Sequence, residues 1–184
     1  MIFKEHSELK DTHAILGGSQ NAWTNYSEEK MLLVAENLEQ KERGTKLHAF
    51  AAMAIELQQP LKGNTSSLAM FVNDAIGFRM TPEQPLVYSA KAYGCADAIS
   101  FRKNFLRIHD YKSGKTKASF RQLEVYTAFF CLEYGVDPHD IKIELRIYQL
   151  GEIKVFIPDP DYIESLMGHT ILCDKLLTSR QRRV

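Results

Sequence analysis

CADAISFRKNFLRIHDYK, Cys95–Lys112, carries two apolar segments of period two on either side of Arg102-Lys103-Asn104. A period of two argues strand, and asparagine tolerates positive φ, so the spacing predicts a β-hairpin with a two-residue turn at Lys103-Asn104. In that register residues whose numbers sum to 207 face one another: Phe101 and Leu106, Ile99 and Ile108, Asp97 and Asp110. Alternation then puts Asp97, Ile99, Phe101, Leu106, Ile108, Asp110 and Lys112 on one face, apolar at the turn end and ionic at the other.

Outward from this hairpin, LVYSAKAY (86–93) keeps the period of two and makes the first strand of a three-strand meander. Upstream, SQNAWTNYSEEKMLLVAENLEQKERG (19–44) reads as a helix, with Ser27 followed three residues later by a polar side chain and then an apolar periodic run, and with Gly44 as its break. TKLHAFAAMAIELQQ (45–59) reads as a second, buried helix, apolar around nearly its whole circumference and ended by Pro60 and Gly63-Asn64. SSLAMFVNDAIGF (66–78) is a third, closing near Thr81-Pro82. Downstream, SFRQLEVYTAFFCLEYG is helical with Gly135 as its stop, IKIELRIYQLG and IKVFIP are strands, and a last helix follows Pro158-Asp159-Pro160. The order predicts one α/β (α+β) domain over 1–184, with a central mixed β-sheet flanked by helices and a basic tail at 178–184.

The 23 basic and 23 acidic side chains cancel, so overall charge points to no polyanionic partner. Cys95, Cys131 and Cys173 are odd in number and lack a C-x-x-C pair, which argues for a reducing compartment and against a structural zinc or iron–sulfur site. The longest apolar run, Leu47–Ile55 with its histidine, is far short of a membrane span, so a soluble, cytoplasmic protein is expected.

Two carboxylates about 4.5–5.5 Å apart at the edge of a core repel unless a cation sits between them. Lys112 supplies part of that charge, and a divalent metal would supply the rest. The pattern suits phosphodiester hydrolysis: carboxylate oxygens hold Mg²⁺ or Mn²⁺, and an ammonium orients water or steadies the anionic transition state. Tyr111 points its side chain to the opposite face, leaving its backbone carbonyl as a further ligand. Taken alone, D-x-K is equally an ordinary salt bridge; the second acid placed opposite is what favours a site.

Four segments, RGTKLH (43–48), GCADAI (94–99), IHDYKSG (108–114) and QLEVY (122–126), resemble, in order, the motifs of the PD-(D/E)XK nuclease superfamily. Within it they are most similar to the RecB-type exonucleases of recombination enzymes, CRISPR adaptation and phage replication modules. The resemblance implies a restriction-endonuclease-like core, metal binding by His48, Asp97, Asp110 and the Tyr111 carbonyl, a catalytic Lys112, and shaping of the site by Gln122 and Tyr126. Ala96 replaces the proline of the nominal motif, and the cysteine cluster of the iron–sulfur branch is absent. The lead HAILGGSQNAWTNY (13–26) resembles small phage-encoded members, which implies a host-cytoplasmic setting beside replication or recombination proteins, with room for an oligomer.

Between Lys91 and Arg121 stand eight Lys/Arg against Asp97 and Asp110, a local surplus suited to tracking phosphates. Arg102, Lys103, Lys115, Lys117 and Arg121 are the candidate DNA contacts; Arg180, Arg182 and Arg183 are further tail cations. His6, His13, His139 and His169 read as surface or capping residues, and His109, on the face opposite Asp110, as a poor general base. Trp23 and Tyr26 read as core or interface aromatics. Expected is a metal-dependent DNA nuclease, exonuclease rather than endonuclease; the alternative is a non-catalytic or partner-activated DNA-binding subunit.

Overall fold

The computed structural model describes residues 14–16, 19, 21–63 and 65–181, with side chains to residue 179. His6, His13, Asn64, Arg182 and Arg183 lie outside the described residues. The chain divides between Arg43 and Gly44 into two compact units.

In the first unit the helix expected from residue 19 begins only at α1, Glu28–Glu56; Trp23 lies in a separate 3-10 turn, Asn21–Asn25, and Tyr26 between the two. Ser27 caps α1: its Oγ accepts the Lys30 N–H at 3.2 Å, satisfying one of the free amides of the first turn. Trp23 and Tyr26 line a shallow groove with Ile15, Val34 and Leu38. The expected break at Gly44 does not occur, and the two helices are one. A helical glycine costs only about 1 kcal/mol, and here it leaves room for the loop after the hairpin: a Cβ at 44 would stand 3.2 Å from Ser113 Oγ.

In the second unit the end of α1 is buried on one face alone, through Ala51, Ala54 and Ile55. Phe50 and Met53 are 43% and 53% exposed, which corrects the expectation of an all-round buried helix. Its stop is not a glycine either. Gln58 takes φ 53°, and the Gln59 N–H bonds back to the Ala54 carbonyl, the six-to-one closure of a Schellman turn. Helix α2, Ser67–Gly77, is capped by Ser66 and closes the same way, with Arg79 at φ 52° and the Met80 N–H on Ala75.

Five strands form one mixed sheet in the order β1-β2-β3-β4-β5: Thr81–Ser89, Ala92–Arg102, Phe105–Lys112, Lys142–Gln149 and Glu152–Phe156. The meander β1-β2-β3 is antiparallel. β3 and β4 are parallel, joined through α3, Arg121–Tyr134; Gly135 at φ 63° stops that helix as expected. β1 starts at Thr81 and not near Leu86, and it accepts Pro82 and Pro85 because it is an edge strand, where missing amides break no ladder.

Helices cover both faces of the sheet. Leu86, Ile99, Leu106, Ile108, Leu145 and Ile147 pack with Leu123 and Phe130 of α3 and Ile163 of α4, Pro160–Gln181. On the other face Ala98, Tyr111 and Tyr148 pack with Ile55 of α1 and Phe71 and Val72 of α2. There Tyr148 Oη lies 2.7 Å from Asp74 and 3.1 Å from His109 Nδ1, while His109 Nε2 is buried with no hydrogen-bond partner among the described residues.

Candidate active site

The β2–β3 ladder has the register read from the turn, Phe101↔Leu106, Ile99↔Ile108 and Ala98↔His109. Lys103 and Asn104 both take left-handed φ, 51° and 56°, the signature of a two-residue type I′ turn. Beyond Ala98↔His109 the strands part. Asp97 is therefore not a plain ladder partner of Asp110: its Oδ2 reaches across the opening and accepts the Tyr111 backbone N–H at 2.9 Å.

The reason lies in β2 itself. Gly94 faces Tyr126 of α3, Ala96 and Ile99 belong to the core beneath that helix, and Ala98 to the opposite core. Residues three apart share a face only if the alternation slips between them, and it slips at Asp97. On β1 the register passes from Pro82↔Ala98 to Gln84↔Ala96 over Glu83, which takes φ 47°. Such irregularities re-aim side chains, and this one turns the Asp97 carboxylate toward α1. There the same Oδ2 lies 3.2 Å from His48 Nδ1. That bond to Asp97 raises the His48 pKa above the ordinary imidazole value, against the opposing effect of burial.

Asp110 ends the apolar row Leu106, Ile108 on the central strand and is 2% exposed. Its Oδ1 accepts from Lys112 Nζ at 3.0 Å; its Oδ2 is buried with no hydrogen-bond partner among the described residues. Burial, then the charge of Asp97, pushes its pKa up to about 6, with Lys112 acting the other way. A buried carboxylate with one orphaned oxygen beside a second carboxylate is short of positive charge. Hard oxygen donors with one imidazole nearby fit a divalent cation, so Asp97, Asp110, His48 and the Tyr111 carbonyl could hold one.

Lys112 Nζ also donates to Gln122 Oε1 at 2.9 Å, and Gln122 Nε2 donates to Tyr126 Oη at 2.8 Å. Asp110, Lys112, Gln122 and Tyr126 thus form one hydrogen-bonded chain from β3 to the first turns of α3. It stands at the carboxyl ends of the two parallel strands, where open α/β sheets place ligands. Tyr111 sends its ring the other way, 5.4 Å from the His48 ring.

Lys115 and Lys117 are exposed on the loop that follows Lys112, and Arg121, also exposed, lies over the Tyr162 ring at 5.1 Å. The structure does not bring Arg102 and Lys103 to them: they sit at the hairpin turn, the length of β3 away, about 25 Å at the rise of a strand. His109 is fully buried and its pKa is pushed down to about 3, by burial first and then by Arg146 and Arg107, which removes it as a base at neutral pH. His139 lies inside a 3-10 turn, Pro138–Asp140, capped by Asp137, whose carboxylate accepts the His139 N–H at 2.9 Å, and His169 lies 3.5 Å from Cys173 on α4.

Two residues escaped the sequence reading. Gln149, 3% exposed at the end of β4, donates to the Gly114 and Thr116 carbonyls at 2.7 Å each and accepts the Ala118 N–H at 3.0 Å, so it shapes the Lys115–Lys117 loop. Glu83 on β1 lies beside His48 and Asp97, and the Cys95 thiol donates to its Oε2 at 3.5 Å. No sequence motif contains either; placing the start of β1 at Thr81 would have put Glu83 across from Asp97.

No family model, no curated protein and no solved structure matches the chain.

Proposed function

We propose that the protein is a divalent-metal-dependent deoxyribonuclease, an exonuclease rather than an endonuclease, on a restriction-endonuclease-like core. The observation that carries the reading is Asp110: buried, bonded to Lys112 through one oxygen, with its other oxygen unpartnered beside Asp97. The four motifs RGTKLH, GCADAI, IHDYKSG and QLEVY support it, as do the exposed cations Lys115, Lys117 and Arg121 that follow Lys112.

In this reaction Asp97, Asp110, the Tyr111 carbonyl and His48 would hold Mg²⁺ or Mn²⁺, which when bound would supply Lewis-acid activation of water and of the phosphoryl group. Lys112 keeps its ammonium at the edge of the site, where it orients that water or offsets charge growing on the phosphate. Gln122 fixes the Lys112 rotamer, and Tyr126 fixes Gln122. Lys115, Lys117 and Arg121 engage backbone phosphates on the approach to the site. A setting in phage-type replication or recombination, in the cytoplasm, goes with this reading. Among the described residues no helix is long and apolar enough to cross a membrane.

The test is Mn²⁺-dependent cleavage of end-labelled linear single- and double-stranded DNA beside a closed circle, with Lys112→Ala as control. Loss of the linear substrates only, abolished in the variant, is expected. DNA bound but not cut under any condition overturns the enzyme in favour of a binding or partner-activated subunit.

A further inference from the structure

At the turn end of the β2–β3 hairpin the sheet opens a cleft of about 600 Å³, and four of the side chains that line it are permanent cations: Arg102, Lys103, Arg107 and Lys142. One carboxylate, Asp140, stands among them. A further lining residue, His139, is held between Asp137 and Asp161 at 3.0 and 2.9 Å and brings no net positive charge. In a chain whose 23 basic and 23 acidic side chains cancel, this gathering is uncompensated. Like charges on neighbouring strands destabilise a sheet, so a cleft built this way is short of an anion.

The strand register arranges these cations. Arg102, Phe105 and Lys142 form one row across β2, β3 and β4, so an aromatic residue stands between two cations whose strands are about 10 Å apart. Arg107, two residues further along β3, is fixed in place: its guanidinium lies over the Phe105 ring at 3.8 Å and over the Phe78 ring at 4.6 Å, and its Nε donates to Glu144 at 3.3 Å. The same Glu144 oxygen accepts from Arg146 Nε at 3.0 Å, so it does not cancel the Arg107 charge by itself. A guanidinium held in this way presents its terminal nitrogens as a fixed pair of donors, which suits phosphate oxygens better than a mobile ammonium does. Arg102 is tied as well, donating to the Arg79 carbonyl at 3.2 Å, while Lys103 and Lys142 are exposed.

We propose that this cleft binds the phosphate backbone of DNA, as a contact separate from the D-x-K centre at the other end of β3. The cations are spread over three strands and a turn, a layout that matches the repeated phosphates of a polymer, and Phe105 with Arg107 adds the aromatic and guanidinium faces on which bases lie. This deepens the deoxyribonuclease reading and rests on it for the choice of DNA. The two contacts stand the length of β3 apart, about 25 Å, which is about seven base steps of duplex at 3.4 Å each. A substrate engaged at the D-x-K centre is thereby held at a second point, which keeps it on the protein between successive cuts.

The test is the salt dependence of DNA binding by the full-length chain in EDTA, read by fluorescence anisotropy on a labelled duplex. Each phosphate contact adds about 0.9 to the steepness of log K against log salt, so Lys103→Gln/Lys142→Gln should reduce the slope by about 1.8. Both lysines are exposed, and the thermal midpoint should stay at the wild-type value. Lys115→Gln/Lys117→Gln should reduce the slope separately, and the four changes together should add, since the two ends of β3 share no partners. DNA should also shield Lys103 and Lys142 from acetylation, read by mass spectrometry. An unchanged slope in Lys103→Gln/Lys142→Gln overturns the proposal. So does shielding of the two lysines by a deoxynucleoside monophosphate as strong as that by DNA at equal phosphate concentration. A reduced slope in a chain that cuts no DNA sinks the nuclease reading and leaves the cleft standing; cleavage with the slope unchanged does the reverse.

Discussion

The Asp97 carboxylate accepts the Tyr111 backbone N–H at 2.9 Å at the point where β2 and β3 separate. One side chain thereby replaces a rung of the ladder and also faces His48. The structural and chemical roles of Asp97 can be split by substitution. Asp97→Ala removes the charge-assisted hydrogen bond to the Tyr111 amide and should cost about 1–3 kcal/mol in urea denaturation. Asp97→Asn keeps an acceptor and should lose less, yet both should lose the thermal stabilisation that Mn²⁺ confers on wild type. Equal stability losses in the two variants would count against the amide bond.

Asp110 makes the metal-free protein pH-sensitive. Its folded pKa, about 6, lies above that of a free carboxylate, so the folded state binds more protons than the unfolded state between the two values. Its contribution to stability is therefore greatest below the unfolded pKa and falls as pH rises through about 4 to 6. Asp110→Asn, neutral throughout, should raise the thermal midpoint at pH 7 without metal, and that gain should vanish near pH 4. A midpoint lower than wild type at pH 7 would remove the case for an uncompensated buried charge.

Gly94 supports the chain of side chains on α3. A Cβ at 94 would lie 2.5 Å from Tyr126 Cε1, so Gly94→Ala must displace the ring whose hydroxyl accepts from Gln122. Under the proposed reaction Lys112→Ala should lower turnover by about 10²–10³, the range for loss of one preorganised donor. Gln122→Ala and Gly94→Ala should cost about tenfold to a hundredfold, the worth of a hydrogen bond to a charged group. In Gly94→Ala/Tyr126→Ala the clash is gone: stability should return while the rate does not. Wild-type turnover in Gln122→Ala would show that Lys112 needs no positioning.

Gln149 holds the loop through three hydrogen bonds. Gln149→Ala should cost about 1–3 kcal/mol through the groups left unpaired. It should also make trypsin cleave faster after Lys115 and Lys117, read by mass spectrometry. Unchanged cleavage at both lysines would mean the loop holds its shape without Gln149.

The hairpin was legible because its turn and its alternation are local: Asn104 tolerates φ 56°, and Leu106, Ile108 and Asp110 must share a face once the turn is set. The helix ends were less so. Gln58 and Arg79 close α1 and α2 in a left-handed conformation that favours glycine, and neither residue type announces it. Gly44 looked like a break because glycine is a poor helix former, but the close approach of Ser113 is invisible until the loop folds back.

Side-chain period and turn chemistry, properties of a few consecutive residues, were enough to specify the strands of the β2–β3 hairpin, its register and the D-x-K face. The slip at Asp97, the left-handed Glu83 beside it, and the meeting of both with His48 came from packing between β1, β2 and α1. These contacts join positions 35 and more residues apart between His48 and either acid. Such contacts depend on which strand borders which and where each begins, and local preference carries no information about either.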